Sequence, residues 1–361
     1  MQRGMVSEKD AGDGVRAAAE RPNARATMKD VARVAGVGVG TVSRVVNGKS
    51  NVSEESIAAV NAAIESLGFR RNDSARMLRT GATASIGLLV EDVADPFFSL
   101  LNRSVEEEVL RRDSVLLTAS SDKDPERARK MILTFCARRV DGLVITLPEG
   151  GDEEYLRAEL DAGTSMVFVD RPPRVLDVDS VIVDNRGGAR TGVAHLIGYG
   201  HRRIACFTDR PDLYTASERI AGYRAALEEA GIPFDPELVY SSATTREPVD
   251  EPLGRMLASN DPPTAVFAGN NRTSINVIGA LRIHNTSLAI VGFDDFELAD
   301  VVVPGITVVA QDPKAMGQIA VGMLYKRLDG DISPSQTITL DTRLIVRGSG
   351  ELSRDAVLAA R

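Results

Sequence analysis

Tryptophan is absent from this chain of 361 residues, and cysteine and histidine are scarce. The two cysteines, Cys136 and Cys206, are far apart in the sequence, so we expect buried, reduced thiols rather than a disulfide framework. No apolar run approaches the roughly 18 residues that a membrane-spanning helix needs, so no membrane partner is expected. The histidines lack the spacing of metal ligands, so we expect neither a metal site nor a cofactor; they are His195, His201 and His284.

The first residues also lack an apolar segment, because Met1 to Asp10 alternate between charged and polar types. We therefore expect no secretory signal and a cytoplasmic protein. Residues 1–26 are rich in Ala, Gly, Arg and acids and show no hydrophobic period. This composition predicts a disordered N-terminal tail.

Charge is unevenly distributed along the chain. The total is −8, yet Thr27 to Thr80 hold eight Lys/Arg and five Asp/Glu, a net of +3. From Gly81 onward there are 30 basic and 42 acidic residues, a net of −12. A small basic head on a large acidic body is what selective contact with DNA by one module requires.

The basic segment predicts three helices. Thr27 and Asp30 form a capping-box pattern, and Gly36 ends the first helix. A second helix is expected from about Gly38 to Val46. A third is expected from Ser53 to Gly68, where four apolar residues spaced by three and four form one stripe; they are Ile57, Val60, Ile64 and Leu67.

The remaining chain alternates short apolar runs with amphipathic helical stretches. This rhythm is typical of parallel sheets covered by helices on both faces, and its length predicts two α/β lobes with a cleft between them. The predicted strands are Ile86–Val90, Val115–Thr118, Gly142–Thr146, Met166–Val169, Val181–Val183, Ile204–Phe207, Ala265–Phe267 and Leu288–Val291.

The first two helices have the spacing of a helix-turn-helix, whose second helix enters the major groove. Val39, Gly40 and Arg44 would then meet base edges, where Arg44 can donate two hydrogen bonds to guanine. The hydroxyls of Thr41 and Ser43 suit phosphate contacts. The alternative is a three-helix domain with no DNA role. A nucleotide-binding loop at residues 36–40 is disfavoured, because the glycines follow a helix and lack the required spacing.

These residues resemble the lactose-repressor (LacI/GalR) family. The resemblance rests on Lys29-Asp30-Val31-Ala32, Ala35-Gly36-Val37 and the run Thr41 to Asn47, and it continues through Leu67-Gly68-Phe69-Arg70 and Asn72 to Leu78. It adds Asn47 to the DNA contacts. The family has a serine where Gly38 stands, and glycine is a weaker cap for the recognition helix.

The resemblance also implies a hinge helix at Asn72–Arg79 that contacts the minor groove. Leu78 matches the leucine that wedges between base pairs, with Ala75 and Arg76 beside it. A linker leucine packed on its own body is the alternative for Leu78. The implied division is a tail at 1–26, a DNA-binding domain at 27–70, a hinge and linker at 71–81, a two-lobed core at 82–348 and a C-terminal tail at 349–361.

The body resembles the family's periplasmic-binding-protein-like core. The resemblance rests on short motifs along residues 85–294, among them Val169-Asp170-Arg171 and Gly292-Phe293-Asp294-Asp295. It implies effector contacts that also suit a polar ligand with an apolar face: Phe97, Phe98, Asp170, Arg219, Asn270, Asp294 and Gln311.

Structural roles are the alternatives for these effector candidates. Phe97 and Phe98 could be core, Arg219 could lie in an ion pair, and Asp294 could cap a turn. The chain departs from the family at Asn270-Asn271, where Asn-Asp is usual, and residues 281–290 form a shorter link than usual. Both departures lie near the expected cleft.

Three classes of function follow. The leading one is a homodimeric repressor that binds a pseudo-palindromic operator. We expect a small-molecule effector such as a sugar to control it, and we expect the protein to be associated with the nucleoid when it is bound to DNA. A solute-binding protein without a DNA role is the second, and the missing signal and basic head disfavour it. An enzyme is the third, but no nucleophile elbow, metal cluster or phosphate loop is found.

Overall fold

The structure, a computed structural model, describes residues 26–46, 51–69, 83–242 and 249–360. The chain divides into two compact units, Met1–Gly81 and Ala82–Arg361. The predicted contacts Asn47, Ala75, Arg76 and Leu78 lie outside the described residues, as do nearly all of the predicted tail and the predicted hinge.

The described part of the first unit, residues 26–46 and 51–69, contains three short helices: α1 (Met28–Ala35), α2 (Val39–Val46) and α3 (Glu54–Leu67). The capping box predicted at Thr27 and Asp30 is present, and Gly36 and Gly68 end α1 and α3 in the left-handed conformation that glycine adopts without strain. Val31, Val42 and Val60 are fully buried where the helices meet.

The apolar stripe of α3 differs from the prediction. Ile57 is exposed, whereas Val60 and Ala63 are buried and Ile64 and Leu67 are half-buried. Ile57 lies in the first turn of α3 and is not among the apolar residues that pack against the buried cluster of this unit. The inward face is therefore centred on Val60 and Ala63.

The second unit alternates strands and helices. Its elements as far as residue 198 are β1 (Ser85–Val90), α4 (Pro96–Leu110), β2 (Val115–Ser120), α5 (Pro125–Ala137), β3 (Gly142–Ile145), α6 (Glu154–Asp161), β4 (Ser165–Val169), β5 (Asp179–Val183) and α7 (Asn185–Gly198). Those that follow are β6 (Ile204–Asp209), α8 (Tyr214–Glu229), β7 (Val239–Ser242), α9 (Asp250–Leu257), β8 (Ala265–Ala268), α10 (Asn271–Ile283), β9 (Ala289–Phe293), β10 (Thr307–Ala310), α11 (Pro313–Leu328), β11 (Thr337–Leu340), β12 (Arg343–Ile345) and α12 (Arg354–Ala359).

These elements form two lobes, each built on a six-stranded sheet. The N-terminal lobe has the strand order β11-β5-β4-β3-β1-β2 with parallel pairing throughout. The C-terminal lobe has the order β12-β10-β9-β8-β6-β7, and only β12 runs antiparallel. Apolar clusters cover both faces of each sheet, as parallel sheets require.

The chain crosses between the lobes three times. It leaves the N-terminal lobe after β5, returns after β10 to supply α11 and β11, and passes back to β12. Met316, Val321 and Leu324 of α11 are buried in the core of the N-terminal lobe. The N-terminal lobe is therefore assembled from two separate stretches of chain.

The residues after 348 do not form the predicted tail. Ser349 donates to the Ile290 carbonyl at 2.7 Å, and the Leu352 carbonyl lies 2.7 Å from His201 Nε2. Val357 of α12 is buried in the core of the C-terminal lobe. The short α12 offers too few residues for a periodic pattern, so the sequence did not reveal this packing.

Candidate functional site

The exposed face of α2 is where the sequence predicts contact with bases. Val39 is 44% exposed, and Gly40 and Arg44 are also exposed, whereas Val42 packs into the helical core. Thr41 and Ser43 are half-buried beside this face. The predicted base-reading residues thus share one open surface, as a recognition helix requires.

The start of α2 carries no side-chain cap. The Gly38 carbonyl accepts from the Thr41 and Val42 amides at 2.8 and 3.1 Å. A Cβ atom added at Gly38 or Gly40 would meet no described atom within 4 Å, so packing among the described residues of this unit does not require glycine at either position. The bare backbone of this first turn leaves room for a close partner.

In the second unit, a cavity of about 340 Å³ lies at the carboxyl ends of strands from both sheets. We call it the cleft. It is lined by all seven residues that the sequence singled out for effector contact: Phe97, Phe98, Asp170, Arg219, Asn270, Asp294 and Gln311. Sites in open α/β folds lie at this edge, because strand-end loops converge there.

Arg219 and Asp294 form the polar centre of the C-terminal side. Arg219 Nη1 lies 3.6 Å from Asp294 Oδ2, and its guanidinium stacks 3.8 Å from the centre of the Phe293 ring. Arg219 also donates from Nε to Asn185 Oδ1 at 2.8 Å and from Nη1 to the Gly269 carbonyl at 2.6 Å. These contacts hold Arg219 rigidly. Arg219 therefore forms an ion pair and also lines the cleft, so the two roles considered from the sequence are compatible.

Asp294 follows β9 in the left-handed region, at φ 68°. Gln311 donates from Nε2 to its carboxylate. Burial raises the pKa of Asp294 to about 6, although Arg219 and Gln311 counteract part of this rise. This carboxylate therefore changes its charge as the pH approaches neutrality.

Asp170 occupies the equivalent position after β4 in the N-terminal lobe, at φ 70°. Its carboxylate lies 3.3 Å from Arg171 Nε, and burial raises its pKa. Arg171 also donates to the Leu147 carbonyl at 3.0 Å and pairs with Glu91. A buried network of two acids and one guanidinium thus forms this wall of the cleft.

Phe97 and Phe98 supply the apolar wall. Their rings meet edge to face with centroids 5.1 Å apart, and both are almost fully buried. They line the cleft and also belong to the core of the N-terminal lobe. The two roles proposed from the sequence are therefore compatible.

Asn270 has a structural task at the edge of the cleft. Its Oδ1 caps α10 by accepting from the Thr273 amide at 2.7 Å, and its Nδ2 donates to Asp209 at 2.8 Å. One oxygen lone pair and one N–H remain for a ligand. Through its contact with Asp209, Asn270 fixes the end of β8 relative to β6.

Ten further residues line the cleft, and the sequence did not predict an effector contact for any of them. They follow strands β1, β2, β4, β6 and β8, so the ends of the predicted strands were the signal that could have found them. They are Glu91, Asp92, Asp95, Asp122, Lys123, Arg171, Asp209, Thr215, Asn271 and Arg272.

The lining holds seven acidic and four basic side chains, so its net charge is −3. Each basic side chain lies within 4 Å of a carboxylate. Carboxylates that accept from hydroxyls, beside an apolar ring face, suit a polar neutral ligand. Among the described residues, no group of His, Cys, Asp and Glu is arranged to hold a metal ion.

A helix-turn-helix unit followed by a two-lobed core with a ligand-sized cleft defines a DNA-binding regulator of the kind with a periplasmic-binding-protein-like core. Residues 27–72 match the bacterial regulatory proteins of the lacI family, and residues 193–350 match the periplasmic binding protein-like domain. The chain is 32% identical to the HTH-type transcriptional regulator DegA of Bacillus subtilis (strain 168), over 90% of this chain and 98% of that protein.

It is also 32% identical to the ribose operon repressor of Escherichia coli (strain K12), over 90% of this chain and 99% of the relative. The lac repressor dimer bound to operator and the anti-inducer ONPF shares the fold, with a TM-score of 0.79, 24% identity and coverage of 91% and 99%. The chain belongs to the lacI family of bacterial regulatory proteins, which are DNA-binding transcriptional regulators and not enzymes. No helix in the described part of the chain is long and apolar enough to cross a membrane.

Proposed function

We propose that this protein is a repressor that binds a pseudo-palindromic operator as a homodimer and responds to a carbohydrate in the cleft. The observation that carries the proposal is the convergence of the seven predicted effector residues on one cavity of about 340 Å³, in a chain that also has an open recognition helix. A protein with both parts can couple binding of a small molecule to binding of DNA.

In this proposal Val39, Gly40 and Arg44 read bases in the major groove. Their shared exposure on α2 supports this role. Thr41, Ser43 and Asn47 contact the backbone and fix the register of the helix. Ala75, Arg76 and Leu78 form the minor-groove contact, with Leu78 as the wedge that kinks the DNA.

Exposed apolar side chains on both lobes support the homodimer. Leu100 on α4 and Val115 on the edge strand β2 are more than half exposed, and on the other lobe so are Ile283 and Val303. An unpaired strand edge with exposed apolar neighbours favours association with another chain. Two-fold symmetry in the protein then matches two half-sites in the operator.

The chemistry of the cleft supports a carbohydrate effector. Asp170 and Asp294 can accept hydrogen bonds from ring hydroxyls, and Phe97 and Phe98 can pack against a C–H face. A relative named for the ribose operon agrees with this class of ligand. The effector shifts the angle between the lobes, and this shift changes how the hinges of the two protomers pair. In this proposal the protein acts in the cytoplasm and lies at the nucleoid when it is bound to DNA.

A gel-shift experiment with the DNA upstream of the protein's own gene tests the proposal, with and without a panel of sugars. We expect a retarded species whose amount changes with one sugar, and Arg44→Ala should alter which operator variants are bound. Lys29→Ala, which removes a charge from the exposed surface of α1, is the matched control for general electrostatics. If no retarded species forms under any condition, the repressor proposal fails.

A further inference from the structure

The two lobes are joined across the mouth of the cleft by side chains that the family resemblance does not account for. Arg272, in the first turn of α10 in the C-terminal lobe, reaches the loop after β1 in the N-terminal lobe. Its Nε lies 3.0 Å from Asp95 Oδ2, and its Nη2 lies 3.1 Å from Asp92 Oδ2. One guanidinium therefore binds two carboxylates of the opposite lobe.

Asn271 adds a hydrogen bond to the same carboxylate. Its Nδ2 donates to Asp95 Oδ1 at 3.1 Å. A carboxylate at position 271 would face Asp95 at this distance and repel it. A neutral donor is therefore required beside Arg272 if the lobes are to meet here.

A second contact bridges the lobes from the loop after β2. Lys123 Nζ lies 3.0 Å from Asp209 Oδ1 of the C-terminal lobe and 3.4 Å from Glu91 Oε1 of its own lobe. Asp122 and Lys123 both have positive φ, at 54° and 62°. A backbone held in this unfavourable region presents the lysine toward the opposite lobe.

These ion pairs are partly shielded from water. The side chains of Arg272 and Lys123 are only 28% and 30% exposed, and their acidic partners are less exposed still. The carboxylates of Glu91 and Asp209 raise the pKa of Lys123 despite its burial. Such pairs are stronger than exposed pairs, which contribute little.

We infer that Asp92, Asp95, Lys123, Asp209, Asn271 and Arg272 form an inter-lobe clasp that holds the two lobes together across the mouth of the cleft. The inference deepens the proposed function, because the clasp would regulate access to the proposed effector cleft. Separation of the lobes requires these ion pairs to break. Effector affinity and the state of the hinges then depend on the strength of these ion pairs.

The test is the distance between the lobes in the full chain without effector. Spin labels on Lys130→Cys of α5 and Ser217→Cys of α8 report it by pulsed electron resonance, since both positions are exposed and outside the clasp. The half-buried Cys136 is replaced by Ser, and labelled chain is diluted with unlabelled chain so that a dimer carries one labelled protomer. We expect one short distance in the labelled parent. Arg272→Gln combined with Lys123→Gln should move a large fraction of molecules to a longer distance.

Arg282→Gln is the matched control, because Arg282 is an exposed arginine at the far end of the same helix. The control should keep the parental distance. A rise from about 0.05 M to 1 M salt should open the parent and leave the clasp variant unchanged, because screening weakens ion pairs. This salt titration also tests the clasp if the double variant does not fold.

Identical distances in the parent, the clasp variant and the control would overturn the inference, as would an open parent at low salt. Neither experiment uses DNA or effector. If the distance measurements overturn the clasp, the gel-shift test of the repressor proposal is unaffected. If the gel shift shows no DNA binding, the distance measurements still test the clasp.

Discussion

The buried carboxyl of Asp294 makes a sharp prediction for the pH dependence of stability. Its pKa is raised to about 6 in the folded protein from the ordinary value of 3.8. Between these two pH values the folded chain binds a proton that the unfolded chain has released. The carboxyl therefore contributes stability at low pH, and this contribution is lost as the pH rises through 6.

The size of the effect follows from linkage. The full shift corresponds to about 3 kcal/mol of unfolding free energy. Between about pH 5 and pH 7.5 the loss is roughly 1.4 kcal/mol, because most of the carboxyl titrates in this window. Asp294→Asn removes the titration, while its amide oxygen can still accept from Gln311.

The assay is urea unfolding of the full chain followed by far-ultraviolet circular dichroism, since the chain has no tryptophan. We expect the stability of the parent to fall by about 1.4 kcal/mol more than that of Asp294→Asn between the two pH values. The ion pair with Arg219 forms only with the ionised carboxylate, so its contribution is already contained in the pKa of about 6. Glu297→Gln, at an exposed carboxyl, should follow the parent. Parallel curves for the parent and Asp294→Asn would refute the argument.

Three further predictions concern glycines and the buried network. Gly40→Ala should raise the thermal stability of the first unit, since an interior glycine costs a helix about 1 kcal/mol. The same change should weaken operator binding in a gel shift, and an unchanged DNA affinity would contradict a close approach of the α2 backbone to DNA. Gly222→Ala should destabilise the core by roughly 1–3 kcal/mol in urea unfolding, because the added Cβ would lie 2.2 Å from the Arg186 carbonyl oxygen. Gly198→Ala is the control and should leave the stability unchanged, because no atom lies within 4 Å of a Cβ at that position. Arg171→Ala should cost about 3–5 kcal/mol in the same assay, because it removes the guanidinium beside the buried Asp170 carboxylate and leaves Glu91 with Lys123 alone; a loss under 1 kcal/mol would contradict this reasoning.

Local signals in the sequence predicted much of the fold. Thr27, Gly36 and Gly68 mark helix ends through hydrogen bonds within a few residues, so their roles are readable without a tertiary structure. All eight predicted apolar runs of the body form strands. Buried parallel strands carry continuous apolar runs, which is why their positions were clear.

Four strands were not predicted: β7, β10, β11 and β12. The last two depend on distant partners. β11 has an alternating, half-exposed pattern and pairs with β5, whose Ser180 lies opposite Thr337. β12 has three residues and is the antiparallel edge of its sheet. Runs this short carry no usable period, so their pairing is decided by the assembled lobe.

The candidate site shows the same division. Asp170 and Asp294 come directly after predicted strands, so their positions at the cleft could be expected from the sequence. Lys123 and Arg272 meet acids of the opposite lobe, and no local pattern encodes that meeting. Their contribution could be found only once the two lobes were placed together.

The late return of the chain to the N-terminal lobe bears on how the protein is made. During synthesis, residues 83–184 leave the ribosome first, but α11 and β11 follow only after residue 312. Until then Leu101 and Val105 lack the helix that covers them, and β5 lacks its outer neighbour. A nascent chain stalled before Pro313 should therefore bind chaperones strongly and aggregate when released, because its exposed apolar surface and open strand edge remain uncovered. We therefore expect the two lobes to reach their native state almost together, although the N-terminal lobe begins to emerge some 230 residues before α11.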